Sequence, residues 1–184
     1  MNRPVSSPVK PLPPEDLDHV LAHTRELWGE ARGQAFFITG GTGFFGMWLL
    51  ESFTHANDTL GLGARAVVLT RDPVAFARKA PHLAARADLE FVQGDVRTFP
   101  FPAGLFPYVI HAATEAGTKL NEKASHEMLD AIIGGTRRVL DYAAQAGAKK
   151  LLFTSSGAVY GPATPSRRLV GEDEPPSSLP LEPR

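Results

Sequence analysis

The stretch TGGTGFFG, residues 39–46, decides the fold that this sequence predicts. It follows the apolar run 35–38, which predicts a strand, and opens the segment 44–53, whose pattern favours a helix. A strand, a glycine turn and a helix in this order form the setting in which Gly-x-x-Gly-x-x-Gly binds a dinucleotide. We expect Gly40 to permit a sharp turn, Gly43 to let a pyrophosphate approach the helix N-terminus, and Gly46 to allow close packing. The alternative is a structural glycine turn in another α/β protein.

Two other nucleotide-binding loops fit the residues less well. A nucleoside-triphosphatase loop ends in Gly-Lys-Ser/Thr, but Met47 and Trp48 follow Gly46, so this class is excluded. A methyltransferase usually has an acidic residue at the end of its second strand. Thr70 and Arg71 stand there, which weakens that reading.

Composition sets the remaining bounds. The 184 residues are enough for one domain with a core, and the net charge of −1, with acids and bases interspersed, gives no basic footprint for nucleic acid. Cysteine is absent, which excludes disulfides and thiolate catalysis. No apolar run approaches membrane-spanning length, and the proline-rich N-terminus lacks the apolar core of a secretory signal. We expect a cytoplasmic protein that binds neither membrane nor nucleic acid.

The chain divides into four predicted parts. Residues 1–14 predict a flexible proline-rich leader, and residues 15–32 an amphipathic helix with acids in its first turn. Residues 33–165 form the dinucleotide-binding domain, and residues 166–184 a loop. His19 and His23 lie one helical turn apart, but with no third ligand in view we interpret them as surface histidines and expect no metal.

Strands and helices alternate at short intervals along the predicted domain. After 35–38, strands are predicted at 66–69, 89–92, 108–111 and 151–154. Helices are predicted at 73–87, with a break at Pro81, and at 125–147, and a polar loop at 57–64. This alternation predicts an α/β fold: a Rossmann-like doubly wound parallel sheet with helices on both faces. Ligands bind such a sheet at the carboxyl ends of its strands. That rule selects the glycine turn and the groups 70–71, 95–96, 111–114 and 154–156.

Four motifs in order resemble the extended short-chain dehydrogenase/reductases, and more closely the NAD-dependent epimerase/dehydratase family that acts on nucleotide sugars. They are the turn at 39–46, Gly-Asp-Val at 94–96, His-Ala-Ala at 111–113 and Thr-Ser-Ser-Gly-Ala-Val-Tyr-Gly at 154–161. The resemblance covers about residues 35–165. It implies a nucleotide-sugar partner, linked to dTDP, UDP, CDP or GDP, and a homodimeric full-length enzyme.

The resemblance assigns the cofactor side of the site. The backbone around Phe44 and Phe45 would cradle the pyrophosphate. Asp95 would accept a hydrogen bond from the adenine amino group, with the Val96 backbone beside it. Small residues at Ala112 and Ala113 would line the nicotinamide ribose, and Thr154 ends the fifth strand beside the cofactor. The structural alternatives are that Asp95 caps a turn and that the serines after Thr154 are ordinary turn residues.

The end of the second strand bears on the choice of cofactor. The resemblance leads us to expect an aspartate there to bind the ribose hydroxyls of NAD, but the chain has Thr70 followed by Arg71. Removing a carboxylate and adding a guanidinium favours a 2′-phosphate, so NAD or NADP is expected with a slight preference for NADP. Asp72 swinging in to the ribose is the alternative.

The resemblance implies hydride transfer between the cofactor and a sugar carbon, with Ser156 hydrogen-bonding the reacting oxygen. A Tyr-x-x-x-Lys pair would supply the acid/base. Here the tyrosines Tyr108, Tyr142 and Tyr160 are followed four places later by Ala, Ala and Thr, so we expect a C-terminally truncated fragment that is inactive alone. Gly157 and Ala158 replace the Asp-Glu of 4,6-dehydratases, which favours epimerase or reductase chemistry. The alternatives are a non-catalytic dinucleotide-binding module and a small-ketone reductase of the same superfamily.

Overall fold

A computed structural model describes residues 8–113, 122–160 and 171–173 of the chain. These described residues contain five α-helices and five strands, and two 3₁₀ helices span Arg25–Ala31 and Gly157–Tyr160. The helices are α1 (Pro14–Thr24), α2 (Phe44–Leu60), α3 (Pro73–Lys79), α4 (Pro81–Ala84) and α5 (Glu122–Gln145). The strands are β1 (Ala35–Thr39), β2 (Arg65–Thr70), β3 (Leu89–Gln93), β4 (Tyr108–His111) and β5 (Lys150–Phe153).

The five strands form one sheet in the order β3-β2-β1-β4-β5, and every neighbouring pair is parallel. Thr39, at the end of β1, lies opposite Leu69 of β2 and His111 of β4. β2 and β3 therefore lie on one side of β1 and β4 and β5 on the other, and the connection from β3 to β4 passes from the first side to the second. This reversal of strand order is where an open α/β sheet binds its ligand.

Side chains of β1 alternate between two cores, one on each face of the sheet. Ile38 is buried with α1, α2 and the short helices α3 and α4. Phe37 is fully buried on the opposite face, where it packs with Val139 and Tyr142 of α5. Helices thus cover both faces, and the predicted α/β fold is confirmed. A strand buried on both sides is apolar throughout, which is why β1 and β2 could be recognised in the sequence.

The helices depart from the sequence prediction at two places. Helix α2 continues to Leu60 and ends at Gly61, which adopts a left-handed φ of 57°, so the polar loop predicted from residue 57 is wrong over its first turn. Asn57 allows this because its side chain bonds the backbone N–H and C=O of Ala64. The helix predicted over 15–32 is instead α1 followed by a 3₁₀ segment, with Gly29 disfavouring a continuous α-helix.

Residues 8–13 belong to the predicted flexible leader, yet they pack on the domain. The Val9 N–H donates to the Lys79 carbonyl at 2.7 Å, and the Leu12 N–H donates to the Glu51 carboxylate at 2.7 Å. Prolines at 11 and 13 remove backbone donors and favour an extended chain, so this segment bonds through its remaining N–H groups.

The chain separates into two units, Met1–Phe153 and Thr154–Arg184. The first holds the whole sheet. In the described part of the second, the Val159 N–H donates to the Ser156 carbonyl at 3.2 Å and opens the 3₁₀ helix. None of the helices in the described ranges has the length and apolar character needed to cross a membrane.

Candidate functional site

The glycine turn is packed between helix α2 and the end of strand β4. Gly40 has a φ of 75°, as its place in a sharp turn predicts. A Cβ on Gly40 would lie 2.3 Å from the Ala112 carbonyl oxygen, and one on Gly46 would lie 2.2 Å from the Gly40 carbonyl oxygen. Gly46 therefore packs on the turn itself rather than on the strand. The two glycines let the turn touch both neighbours at backbone distance.

Helix α2 begins at the turn with its N-terminus open to a cavity. Gly43 occupies the N-cap position, and within the described chain no side chain caps the helix. Its first turn contains no acidic residue. Phe44 and Phe45 are 75% and 73% exposed and Gly43 is also exposed, so the backbone is accessible from Gly43 to Phe45, whereas Gly46 is buried. A 17-residue helix ending this way offers unpaired N–H groups and a positive dipole end to an anion.

The cavity, of about 560 Å³, lies along the carboxyl edge of the sheet. The ends of β1, β2, β3 and β4 all reach it. The structure brings together around it eleven residues that the sequence selected: Gly40, Gly43, Phe44, Phe45, Gly46, Thr70, Arg71, Asp95, Val96, Ala112 and Ala113. The cavity runs along the sheet edge where the strand order reverses, and it extends to both sides of the N-terminus of α2. This shape fits an elongated cofactor with an anionic group at its centre.

At the β2–β3 end, the cavity wall is charged. Asp95 and Arg97 form an ion pair with both nitrogen–oxygen distances at 2.8 Å. Hydrogen bonds from Arg97 lower the pKa of Asp95 to about 2, and the charge of Arg71 adds to the effect. The Asp72 carboxylate caps helix α3, where it accepts a hydrogen bond from the Ala75 N–H at 2.8 Å. Two guanidinium groups and one carboxylate therefore surround this end of the cavity.

At the β4 end, a buried hydrogen-bond chain holds the wall made by Ala112 and Ala113. The Ala113 N–H donates to the Thr39 hydroxyl at 3.2 Å, and that oxygen lies 2.7 Å from Nδ1 of His111. Nε2 of His111 lies 3.2 Å from the hydroxyl of Thr136 on α5. Burial lowers the pKa of His111, so the neutral ring is favoured. The chain of contacts joins β1, β4 and α5 directly behind the cavity.

Sequence reasoning missed several residues that line the cavity. The sequence motifs include Thr39, Thr42 and Gly94, but no role in the site was predicted for these three residues. They contribute by forming part of the cavity wall. Ala131 arrives from α5, and no local sequence signal marks it. Arg97 could have been predicted from the sequence, because the backbone N–H two residues after an aspartate often donates to that aspartate's carboxylate in an Asx turn. The Arg97 N–H donates to Asp95 Oδ1 at 2.9 Å in this way.

Thr154 and Ser156 belong to the second unit. Ser156 directly precedes the 3₁₀ helix Gly157–Tyr160 and accepts the Val159 N–H through its carbonyl oxygen. In the part of the chain that the structure describes, no group of three or more His, Cys, Asp or Glu side chains is arranged to hold a metal.

The parallel sheet, the glycine turn and the helix N-terminus define a dinucleotide-binding protein of the Rossmann type. The model of the NAD dependent epimerase/dehydratase family matches residues 36–184, so the chain belongs to that family. Its members are NAD-dependent enzymes, and the resemblance drawn from the four motifs is confirmed at family level. A search of curated protein sequences gives no match.

Solved structures show the same fold at low sequence identity. The epimerase Mth375 from Methanothermobacter thermautotrophicus is 22% identical with a TM-score of 0.58, over 77% of this chain and 41% of that one. UDP-glucose-4-epimerase from Stenotrophomonas maltophila, with bound NAD and formylated UDP-arabinopyranose, is 20% identical with a TM-score of 0.57, over 79% and 43%. WbmG from Bordetella bronchiseptica, with NAD and UDP, is 23% identical with a TM-score of 0.54, over 77% and 43%. The chain thus spans less than half the length of these structures.

Proposed function

We propose that this chain is the cofactor-binding part of an NAD(P)-dependent oxidoreductase that transfers hydride to and from a carbon of a nucleotide sugar. The observation that carries the proposal is the cavity at the carboxyl edge of the sheet, which collects the eleven predicted cofactor residues around the N-terminus of α2. Family membership supports an NAD-dependent reaction.

The pyrophosphate would bind at the N-terminus of α2. Among the described residues, Met47 is the first of the helix whose N–H has a backbone acceptor, the Gly43 carbonyl at 3.0 Å. The N–H groups of the exposed residues Phe44 and Phe45 precede it, at the helix end where the dipole and the unpaired donors favour an anion. The residues of the turn therefore fit a diphosphate without any side-chain charge.

The adenosine end favours NADP over NAD in our proposal. NAD sites of this type bind the ribose diol with a carboxylate at the end of the second strand, where this chain has Thr70, and the nearby Asp72 caps α3. Arg71 follows β2 and lines the cavity, and a guanidinium suits a 2′-phosphate. We therefore assign Arg71 to the 2′-phosphate and Asp95 to the adenine amino group.

The opposite end would hold the nicotinamide. Ala112 and Ala113 present backbone and methyl groups there, so a flat ring and its ribose can lie against the chain. When bound, the cofactor supplies the hydride acceptor and donor. This chain contributes the wall that orients the ring, and we propose that Ser156 hydrogen-bonds the reacting sugar oxygen. Relatives crystallised with NAD together with UDP or a UDP-sugar support a nucleotide-sugar substrate.

Catalysis would need a proton-transfer group beyond these residues. None of Tyr108, Tyr142 and Tyr160 has a lysine four places later, so we propose that the 184-residue chain binds cofactor but does not turn over. The same observation favours the second candidate, a non-catalytic dinucleotide-binding module. The two differ in whether addition of a C-terminal region containing Tyr-x-x-x-Lys creates an active enzyme.

We further propose that the full-length enzyme is a homodimer that uses helix α5. Leu129, Ile133 and Leu140 lie on one side of the helix and are 51%, 59% and 51% exposed. Apolar side chains at this spacing favour packing against a second helix. Analytical ultracentrifugation of the parent and an Ile133→Asp variant tests this, since the aspartate should shift a dimer to monomer. A parent that is monomeric at all concentrations would contradict it.

Isothermal titration calorimetry with NAD and with NADP tests the cofactor proposal on the parent and on Gly43→Val. We expect binding in the parent and a loss of at least about tenfold in the variant, because a branched side chain covers the helix N-terminus. Gly29→Val, in the 3₁₀ segment with open space around it, is the matched control. Circular dichroism on the same samples separates loss of binding from loss of fold. A folded parent that binds neither cofactor would refute the proposal.

A further inference from the structure

The peptide that joins Thr42 to Gly43 is hydrogen-bonded on both of its sides. Its carbonyl accepts the ammonium group of Lys79 at 2.8 Å, and its N–H donates to the Gly40 carbonyl at 3.1 Å. Lys79 comes from the last turn of α3 and is half-buried where it meets the turn. A charged donor makes a stronger hydrogen bond than a neutral one. The plane of this peptide, which immediately precedes the N-cap residue Gly43 of α2, is therefore fixed from behind the cavity.

The N-terminal segment 8–13, which we call the strap, holds the residue that supplies this ammonium group. The Val9 N–H bonds the carbonyl of Lys79 itself at 2.7 Å. Three residues later, the Leu12 N–H bonds Glu51 of α2 at 2.7 Å. The strap thus connects the end of α3 to the middle of α2, the helix that the glycine turn begins.

Glu51 is built to receive the strap. Glu51 is only 4% exposed. One of its carboxylate oxygens accepts a hydrogen bond from the Leu12 N–H, and the other lies 3.2 Å from Nε2 of His82. A buried carboxylate with two hydrogen-bond partners is costly to leave unpaired. The strap itself lies outside residues 36–184, the part of the chain that the family model matches.

We infer that Lys79 is a positioning residue for the glycine turn, and that the strap keeps it in place. Lys79 acts on the cofactor through the Thr42–Gly43 peptide, whose orientation sets the direction of the N–H groups at the start of α2. Without the ammonium group, that peptide keeps one hydrogen bond and gains freedom to rotate. The anion-binding N–H groups then lose part of their preorganisation. The effect on cofactor affinity rests on the proposed function; the effect on the turn does not.

Amide hydrogen exchange on the cofactor-free chain tests the inference directly. We expect Lys79→Met to speed exchange of the Gly43 and Met47 amides by about tenfold, the loss expected for one charge-assisted hydrogen bond, while Val68 in the sheet is unchanged. Arg78→Met removes the neighbouring exposed charge and is the matched control. Lys79→Arg should restore slow exchange, because a guanidinium can donate to the same carbonyl. Equal exchange in Lys79→Met and Arg78→Met would overturn the role of Lys79.

A proline substitution tests the strap without shortening the chain. Leu12→Pro removes the N–H that bonds Glu51, and Lys10→Pro places a proline at an exposed residue of the same segment. We expect Leu12→Pro to speed exchange of the Gly43 amide severalfold and Lys10→Pro to leave it unchanged. If Leu12→Pro matches the parent while Lys79→Met does not, the strap part of the inference fails.

Calorimetry with NAD and NADP completes the test. Lys79→Met should weaken the Kd of the preferred cofactor by about tenfold, whereas Arg78→Met should match the parent. If the parent binds neither cofactor, the proposed function fails, and the exchange data alone still decide whether Lys79 positions the turn. Normal affinity in Lys79→Met would overturn its role in cofactor binding.

Discussion

Asp95 and Arg97 are joined by three hydrogen bonds, two between their side chains at 2.8 Å and one from the Arg97 N–H to Asp95 Oδ1 at 2.9 Å. Asp95 thereby fixes the loop after β3 and still lines the cavity. The two readings of this aspartate, turn cap and adenine ligand, are therefore compatible, since a carboxylate has more acceptor positions than Arg97 uses.

The pKa of Asp95 predicts an acid-dependent contribution to stability. The folded pKa is lowered to about 2 from an ordinary 3.8, chiefly by Arg97, so the contribution is present above pH 4 and is lost as pH falls toward 2. Because the Asp95 side chain is about one-third exposed, we expect its ion pair to contribute less than about 1 kcal/mol to the free energy of unfolding. Urea unfolding at pH 2 to 5 should show a shallower pH dependence for Asp95→Asn than for the parent. Parallel curves would contradict the prediction.

Gly46→Ala should disrupt the turn. Its Cβ would lie 2.2 Å from the Gly40 carbonyl oxygen, and both partners are backbone, so neither can move away cheaply. We expect a loss of about 1–3 kcal/mol of unfolding free energy and a large loss of cofactor affinity.

Gly29→Ala is the control for that substitution, because an added Cβ at Gly29 meets nothing within 4 Å. Its unfolding free energy should stay within about 0.5 kcal/mol of the parent value. Chemical denaturation measures both variants. Similar effects in the two would mean that the crowding at Gly46 is relieved by backbone movement.

Arg71→Ser should separate the two cofactors. If the guanidinium binds the 2′-phosphate, the Kd for NADP rises by about tenfold to a hundredfold while that for NAD changes little. Arg78→Ser, which removes an exposed charge from α3, is the control for a general electrostatic effect. Calorimetry gives all four affinities. An equal loss for NAD and NADP would assign Arg71 to the shared part of the cofactor.

The parts of the fold that follow from local chemistry could be read from the sequence. Buried parallel strands such as β2 are continuous apolar runs in the sequence, so the sheet could be predicted. The spacing of the three glycines marks the turn, so one side of the site could be predicted as well. The carboxyl-edge rule then brought distant groups together. The extent of α2 was not predictable, because Asn57 in the helix is fixed by contacts with Ala64 and Asp88 from later in the chain.

Contacts between segments that are far apart in the chain could not be predicted from the sequence. Lys79 and Thr42 are 37 residues apart, and nothing in either local pattern indicates a contact. The strap was predicted as a flexible leader because its prolines resemble a linker, whereas its two N–H bonds go to acceptors that only the folded domain provides. Ala131 likewise reaches the cavity through the position of α5 alone.

Tyr142→Phe should leave the protein equally stable or make it more stable. The ring is buried among Phe37, Phe99, Phe101 and Phe106, and its hydroxyl has no hydrogen-bond partner among the described residues. Burial raises the pKa of Tyr142, which agrees with a hydroxyl poorly compensated for its loss of water. Removing the oxygen keeps the aromatic packing and takes away a buried polar group that costs about 1–3 kcal/mol when unpaired.

Tyr108→Phe is the matched control, since the Tyr108 hydroxyl donates to the Glu30 carbonyl at 3.1 Å near the surface. Its loss should lower the unfolding free energy by about 0.5–1 kcal/mol, the value of an ordinary hydrogen bond. Urea titrations of the parent and both variants at pH 7 measure the two effects. If Tyr142→Phe is the more destabilised variant, its hydroxyl has a partner in the folded chain, and the aromatic cluster around α5 is held by more than packing.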